Sequence, residues 1–289
     1  MANFNTERFF LKHPVLYNFH YLFLRNSYRG LGVYRRNSKL NIDAPDKIKM
    51  GNFEMYINPD NEHDKAFVPL AMNNELYEPS ISKFFMDNVK AGETFLDIGA
   101  NNGYYSLLLS AALGGNLNVY AFEPYLPSFE KLLANRALNK LENIRPYMIA
   151  LSDKYGAATL YKHYFEDGRN TLTPIDKDEI TDSETVALGL LDDYVTKADW
   201  IKIDVEGHEY EVLKGGEKLL KNNQDIKIIF EYNFVMMRQK KMPYNLIFDY
   251  LHRLGFKTEE IDIDAGMMGV VNSFKDLRRF GTYVYCHRN

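Results

Sequence analysis

From Glu93 onward the chain alternates short apolar runs with stretches that repeat at the helical period. "ETFLDIG" reads as a strand and "GYYSLLLSAAL" as a helix. "NVYAFEP" is again a strand, and "PSFEKLLANRALNK" places Phe129, Leu132, Leu133 and Leu138 on one helical stripe. "IRPYMIAL" is a third strand. Strands apolar on both faces and separated by helices require a parallel sheet covered on both sides. The alternation breaks at residues 156–176, where a turn at Asp167-Gly168 predicts a hairpin or loop. It resumes with "ADWIKIDVEG", the helical stretch "EYEVLKGGEKLLKNN", the strand "IKIIFEY" and the helix "NLIFDYLHRLGF". Two further strand-like runs, "KTEEIDI" and "GTYVYCH", close the chain.

The remaining composition excludes several classes. With 46% hydrophobic and 26% charged residues, the 289-residue chain has the make-up of a globular protein. A net charge of −4 disfavours nucleic acid as a partner. One cysteine, Cys286, rules out an internal disulfide framework or thiolate metal cluster and suits a reducing cytosol. The best apolar segment, Pro14–Leu24, contains Asn18 and His20 and falls short of the roughly 18–20 residues that cross a bilayer. No secretory signal is expected, so the chain reads as cytoplasmic.

Residues 1–40 hold seven Lys and Arg against one Glu, with Leu16, Phe19 and Phe23 at helical spacing. They predict a basic amphipathic helix, either packed on the core with solvated arginines or resting on an anionic membrane or acidic substrate. The expected organisation is an amino-terminal, partly helical extension over residues 1–76. A main domain over residues 77–289 follows, with a hairpin insertion at about 156–182.

The turn in "FLDIGANNGYYS" narrows the ligand. A P-loop would need Lys to neutralise phosphate, and no Lys or Arg lies between Gly99 and Tyr120. A dinucleotide fingerprint would need a third glycine, whereas this turn has Gly99 and Gly103 with two asparagines between them. S-adenosylmethionine carries no phosphate and asks only for close passage to an amino-acid moiety and a ribose. Asp97 suits ordering of the loop or of a ligand ammonium through water. Glu123, ending the next strand, suits two ribose hydroxyls, since a carboxylate accepts both hydrogen bonds.

"FLDIGANNGYYSLLLSAAL", "VYAFEPYLPSFEKLLANRALN", "IALSDKYGAATLY" and "IKIDVEGHEYEVLKGGEKLL" resemble, in order and spacing, the FkbM family of S-adenosylmethionine-dependent methyltransferases. The resemblance covers Tyr77 to Tyr232. It implies a Rossmann-like class I methyltransferase fold, an α/β architecture with a mostly parallel seven-stranded sheet and helices on both faces. It also implies O-methylation of sugar or natural-product hydroxyls. By it, Asp97, Gly99, Asn101, Gly103 and Glu123 line the cofactor, and the chain around Ala150 borders the adenine. Gly216 stands where the family often has Ala, which reads as a loosened helix start.

Methyl transfer from a sulfonium leaves a neutral group behind, so the enzyme must align the atoms and, for a poorly acidic hydroxyl, accept a proton. Strand alternation puts Lys202, Asp204 and Glu206 on one face, with His208 opening the next helix. Asp204, Glu206 and His208 are the candidate proton acceptors, with Asp204 preferred. Glu206 and Glu209 also suit the helix amino terminus electrostatically. Glu231 ends the following strand and faces the same cleft or serves as a buried structural acid. Oxygen and nitrogen ligands at Asp204, Glu206, His208 and Glu231 would suit Mg²⁺ or Mn²⁺, but their spacing carries no metal signature, so no metal is expected. Arg169 and Asn170 are candidates for touching the acceptor, and the 21 tyrosines offer faces for sugar rings. The expected acceptor is a small molecule, glycan or glycolipid. The alternatives are an NAD-dependent sugar-nucleotide oxidoreductase, which lacks its third glycine here, and an inactive methyltransferase fold serving as a binding subunit.

Overall fold

A computed structural model describes residues 47–58, 61–163, 169–173, 180–262, 266–278 and 281–288. The basic helix expected in residues 1–40 and the Asp167-Gly168 turn lie outside the described residues. The chain begins with strands β1 (Lys47–Met50) and β2 (Phe53–Tyr56) and helices α1 (Glu62–Lys65), α2 (Phe67–Asn73) and α3 (Pro79–Asn88). Alternation follows with β3 (Thr94–Ile98), α4 (Tyr104–Ala112), β4 (Asn118–Phe122), α5 (Leu126–Leu138) and β5 (Ile144–Tyr147). Next come β6 (Ala150–Leu151), β7 (Gly156–His163), β8 (Ile180–Gly189) and β9 (Trp200–Ile203). The last portion comprises α6 (Glu209–Gly215), α7 (Glu217–Asn222), β10 (Lys227–Asn233), α8 (Phe234–Gln239), α9 (Leu246–Arg253), β11 (Lys257–Asp262), β12 (Gly266–Val270) and β13 (Gly281–His287).

The main sheet has the order β12-β11-β13-β10-β9-β3-β4-β5. The run from β5 to β10 is parallel, and β13 lies antiparallel between β10 and β11. This is the expected α/β fold with an eighth strand. Residues 266–270 fold back antiparallel on β11, and their two glycines show no strand period in the sequence. Strand β7 pairs antiparallel with β8, which extends to Gly189, beyond the residue 182 expected for the insertion, and with the short β6 they make a second, three-stranded sheet.

Each face of the main sheet carries its own core. One is built on Ile201, Ile203, Phe230 and Phe248, the other on Phe95, Leu107, Val119 and Trp200. Phe53, Met55 and Phe67 belong to the second core, so the division expected at residue 76 is not a break in packing.

The reason appears on α5. Its buried positions are Ser128, Leu132 and Asn135, while Leu133 is exposed. The Asn135 and Asn139 side chains accept the backbone amides of Tyr56 and Glu54 at 2.7 and 2.8 Å, docking the β1–β2 hairpin. A hairpin edge needs hydrogen-bond partners more than a leucine stripe.

"EYEVLKGGEKLLKNN" is two helices broken at Gly216. A Cβ at Gly215 would stand 1.9 Å from the Ser152 carbonyl oxygen, and one at Gly216 would stand 2.8 Å from Leu191 Cδ2. Gly216 therefore does more than loosen a helix start: it gives Leu191 room at the break. Among the described residues no helix is long and apolar enough to cross a membrane.

Candidate functional site

Strands β4, β3 and β9 end side by side, at the point where the chain reverses its direction of growth across the sheet, the usual ligand position of such folds. Gly99 and Ala100 both donate their backbone N–H to the Phe122 carbonyl at 3.0 Å, and Asp204 donates its own to the Ile98 carbonyl at 3.0 Å. Gly99 has φ +77°, and a Cβ there would lie 1.8 Å from the Asp204 carbonyl oxygen. Glycine is required here to let two strand ends meet, whatever ligand passes nearby.

Two clefts open from this edge. The first, about 600 Å³ including its open mouth, is lined by Gly99, Asn101, Glu123, Ala150, Asn170 and His208, with Phe122, Leu151 and Leu172 as apolar walls. Among the described residues no Lys or Arg lines it. Glu123 is buried, and its two oxygens accept the backbone N–H of Asn101 and Tyr125, each at 2.9 Å. A carboxylate oxygen has two lone-pair directions, so each retains accepting capacity. Burial, opposed by those two amides, pushes the Glu123 carboxyl up to about 7.

His208 stands with Nε2 3.0 Å from Ser152 Oγ and Nδ1 3.7 Å from a Glu211 oxygen. Burial pulls its pKa down to about 4, so it is neutral at pH 7, and it stands on the first cleft alone. Asp97 and Gly103, which the resemblance assigned to the cofactor lining, sit one layer back and line neither cleft. Asp97 Oδ2 accepts Ser106 N–H at 3.1 Å and Ser106 O–H at 2.6 Å, fastening α4 to the strand end. Its Oδ1 is buried without a hydrogen-bond partner among the described residues. Gly103 gives way to Leu132, whose Cδ1 a Cβ would meet at 2.4 Å.

The second cleft, about 840 Å³ including its open mouth, shares Gly99, Asn101, Asp204 and Glu206 with the first. It adds Tyr77, Glu78, Arg169, Lys202, Glu231 and Tyr283. Thus Arg169 and Asn170, adjacent in sequence, stand on different clefts. Three lining residues other than glycine hold a left-handed backbone: Glu78 (φ 44°), Asn101 (φ 47°) and Glu206 (φ 50°). Such strain persists where surrounding structure imposes it, and it gathers at functional sites.

The left-handed Glu206, not strand alternation, brings its side chain beside Asp204, because β9 already ends at Ile203. One oxygen from each of Asp204, Glu206 and Glu231 lies within 4.8 Å of the others. His208 is not among them. Three carboxylates this close repel one another, and Glu231 rises well above the usual carboxylate range through burial and the charges of Glu206 and Asp204. Lys202 is the nearby counter-charge. Its Nζ lies 3.1 Å from Asp204 Oδ2 and 4.9 Å from the centre of the Tyr105 ring. Burial alone would lower its pKa, but the charges of Asp204 and Asp97 outweigh that and hold it above its ordinary value.

Glu78, Tyr105, Lys202 and Tyr283 complete this cleft without having been read as site residues. Lys202 had a signal, a lysine inside the apolar strand "WIKI". Glu78 and Tyr283 come from opposite ends of the chain and had none.

Glu209 does not merely face a helix dipole. It is buried, and its Oε1 accepts the backbone N–H of Gly207 at 3.0 Å and of Val205 at 3.3 Å, tying the loop that carries Glu206. Burial, opposed by these amides, raises its carboxyl from 4.5 to about 7. The folded state therefore holds this proton more tightly than the unfolded state. The stabilisation is complete below 4.5 and is lost as pH rises through about 7. In Glu209→Gln the amide oxygen still accepts both N–H groups. Urea unfolding should show that variant losing less stability than wild type between pH 5 and pH 8, by about 1–3 kcal/mol. An equal loss in both proteins would mean that Glu209 ionises without cost.

Residues 97–258 match the family model described as the methyltransferase FkbM domain. The hexuronic acid methyltransferase AglP of Haloferax volcanii is 29% identical over 149 residues, covering 48% of this chain and 56% of that protein. The chain thus spans little more than half the length of that relative. Among solved structures, the methyltransferase FkbM from Methylobacillus flagellatus KT aligns with TM-score 0.43 and 13% identity, over 78% of this chain and 53% of that one. M. jannaschii TYW2 in complex with AdoMet aligns with TM-score 0.43 and 15% identity, over 86% of this chain and 88% of that one. With its DIGANNG turn at the central strand end and the family model covering more than half its length, the chain belongs to the FkbM methyltransferase family.

Proposed function

We propose that this chain is an S-adenosylmethionine-dependent O-methyltransferase whose acceptor is a hydroxyl of a sugar, in a glycan or glycolipid. The observation that carries the reading is a first cleft lined, among the described residues, by acids and no Lys or Arg, joined to an acid- and tyrosine-lined second cleft through Asp204 and Glu206. Dinucleotide phosphates would be poorly received there. A cationic, phosphate-free cofactor suits it, and the residues present fit one. Glu123 retains accepting capacity for ribose hydroxyls, and Ala150 with Leu151 and Phe122 offers apolar surface to an adenine. The orphaned Asp97 Oδ1 suits an ammonium held through water.

Bound in the first cleft, S-adenosylmethionine supplies an electrophilic methyl group to an oxygen nucleophile. Asp204, at the junction, is the residue to accept the acceptor's proton, with Glu206 beside it. Tyrosine faces and carboxylates in the second cleft are the chemistry that recognises a polyhydroxylated ring. The sugar acceptor is further supported by the relative named as a hexuronic acid methyltransferase. Peripheral anchorage to the cytoplasmic face of a membrane through the basic residues 1–40 is part of the same proposal.

Thermal unfolding with S-adenosylhomocysteine or NADH tests the cofactor. Stabilisation by the first alone is expected, about 2.7 kcal/mol at a hundred times its Kd. Stabilisation by NADH alone would favour the oxidoreductase. Mass spectrometry of glycans and lipids from cells with and without the protein tests the acceptor, the expected difference being one CH₂ on a sugar.

Glu123→Ala is expected to weaken S-adenosylhomocysteine binding by about 1.5–3 kcal/mol, the usual cost of losing hydrogen bonds to a charged group. Glu123 also holds two backbone amides, so calorimetry should be read beside a melting curve. Wild-type affinity in the folded variant would remove Glu123 from the site.

A further inference from the structure

Glu78 occupies an unusual position for a glutamate. Its φ of 44° is left-handed and it directly precedes Pro79, a neighbour that favours extended backbone. It is the N-cap of α3, yet its side chain makes no capping hydrogen bond. It turns instead into the second cleft. There Tyr105 Oη donates to Glu78 Oε2 at 2.5 Å, and Tyr283 Oη lies 2.9 Å from Glu78 Oε1 and 3.2 Å from Asp204 Oδ2.

The Tyr283 hydroxyl has one proton and faces two carboxyl oxygens. It can donate to only one of them, and an unprotonated oxygen on the other side would meet a lone pair. Both contacts are satisfied only when one carboxyl carries its own proton and donates it to Tyr283. The adjacent cation decides which. Lys202 Nζ bonds Asp204 Oδ2 at 3.1 Å, and no ion pair of this length reaches Glu78 among the described residues. The proton therefore belongs on Glu78, and the donors run from Glu78 to Tyr283 to Asp204.

We propose that Glu78 is held as a neutral carboxylic acid and that, through the Tyr283 hydroxyl, it positions Asp204 as an ionised proton acceptor in the acceptor cleft. This deepens the reading of Asp204 given above and rests on it. Glu78 and Tyr283 both lie outside the family-matched residues 97–258. The device thus belongs to the segments that close the cleft from either end of the chain.

The groups facing Glu78 come from several elements: Tyr105 on α4, Lys202 on β9, Asp204 beyond it, Glu231 on β10 and Tyr283 on β13, with Arg169 on the same cleft. Their balance agrees with the proton count. Burial and the Asp204 charge raise the Glu78 carboxyl above its ordinary range, against Lys202 and the hydrogen bonds to Tyr105 and Tyr283.

Infrared spectra at pH 7 of wild type and Glu78→Gln test the proton directly. The difference spectrum should contain the carbonyl stretch of a protonated carboxyl, present in wild type and gone in the variant, while bands from Glu231 and Glu123 cancel. Turnover tests the positioning, with labelled S-adenosylmethionine as methyl donor and the carbohydrate fraction of a cell extract as acceptor. Glu78→Ala and Tyr283→Phe should each lower it about tenfold, the effect of one lost hydrogen bond. Glu78→Gln, which keeps a donor toward Tyr283 and an acceptor toward Tyr105, should restore most of the Ala loss.

A difference spectrum without the protonated band overturns the proposal. A Gln variant as impaired as the Ala variant overturns it too, since the negative charge would then be the required feature. Failure of the Asp204 reading appears separately, as an Asp204→Asn variant with full turnover, and leaves the infrared result to stand alone.

Discussion

Asp204→Asn is expected to lower methyl transfer by at least about 10²-fold, the contribution of a positioned proton acceptor, while the protein stays folded. The amide keeps the shape of the side chain. Its oxygen still accepts from Lys202 Nζ and from Tyr283 Oη, now at 3.1 and 3.2 Å from the Asp204 carboxylate. S-adenosylhomocysteine affinity should change by only a few fold, because Glu123 and the apolar wall around Ala150 are untouched. Removing the Asp204 charge should also make the neighbouring Glu231 easier to ionise.

His208→Ala is the parallel variant. Its ring stands on the first cleft, beside Ser152 and Glu211, and is uncharged at neutral pH. A turnover loss below about tenfold is expected from it, the scale of a lost packing and hydrogen-bond contact. A large loss in His208→Ala with near-normal Asp204→Asn would reverse the assignment. Wild-type turnover in both would move proton acceptance to Glu206 or Glu231.

Gly99→Ala is expected to fail earlier, at folding. The added Cβ would stand 1.8 Å from a backbone oxygen of the adjacent strand end, and φ +77° is hostile to any side chain. Relief requires β3 and β9 to part where Asp204 N–H meets the Ile98 carbonyl. Changes of this kind cost at least about 3–5 kcal/mol, a large share of the roughly 5–15 kcal/mol that stabilises a domain. The urea midpoint of the protein without any ligand should fall sharply, or soluble protein should be lost. A variant with an unchanged midpoint but no cofactor affinity would instead assign Gly99 to ligand approach.

The contrast between these two positions shows what could be read in one dimension. The alternation of apolar runs and helical periods sufficed for a parallel sheet covered on both faces, because each element's burial is written in its own spacing. The acids Asp97, Glu123, Asp204 and Glu231 could be placed at strand ends for the same reason. What each acid does there depended on neighbours far away in sequence. Asp97 fastens α4 from behind, whereas Glu123 lines the first cleft and Asp204 joins both.

Tertiary structure alone decided the second cleft. Glu78 and Tyr283 meet across 205 positions of sequence, and no periodicity encodes such a contact. It likewise decided that Asn135 rather than Leu133 faces inward on α5, since the β1–β2 hairpin presents amides that only a polar side chain satisfies. Local spacing specifies which surfaces of an element are apolar. Which polar groups are then buried together is set by hydrogen-bond demand and charge, quantities that exist only once the elements have packed.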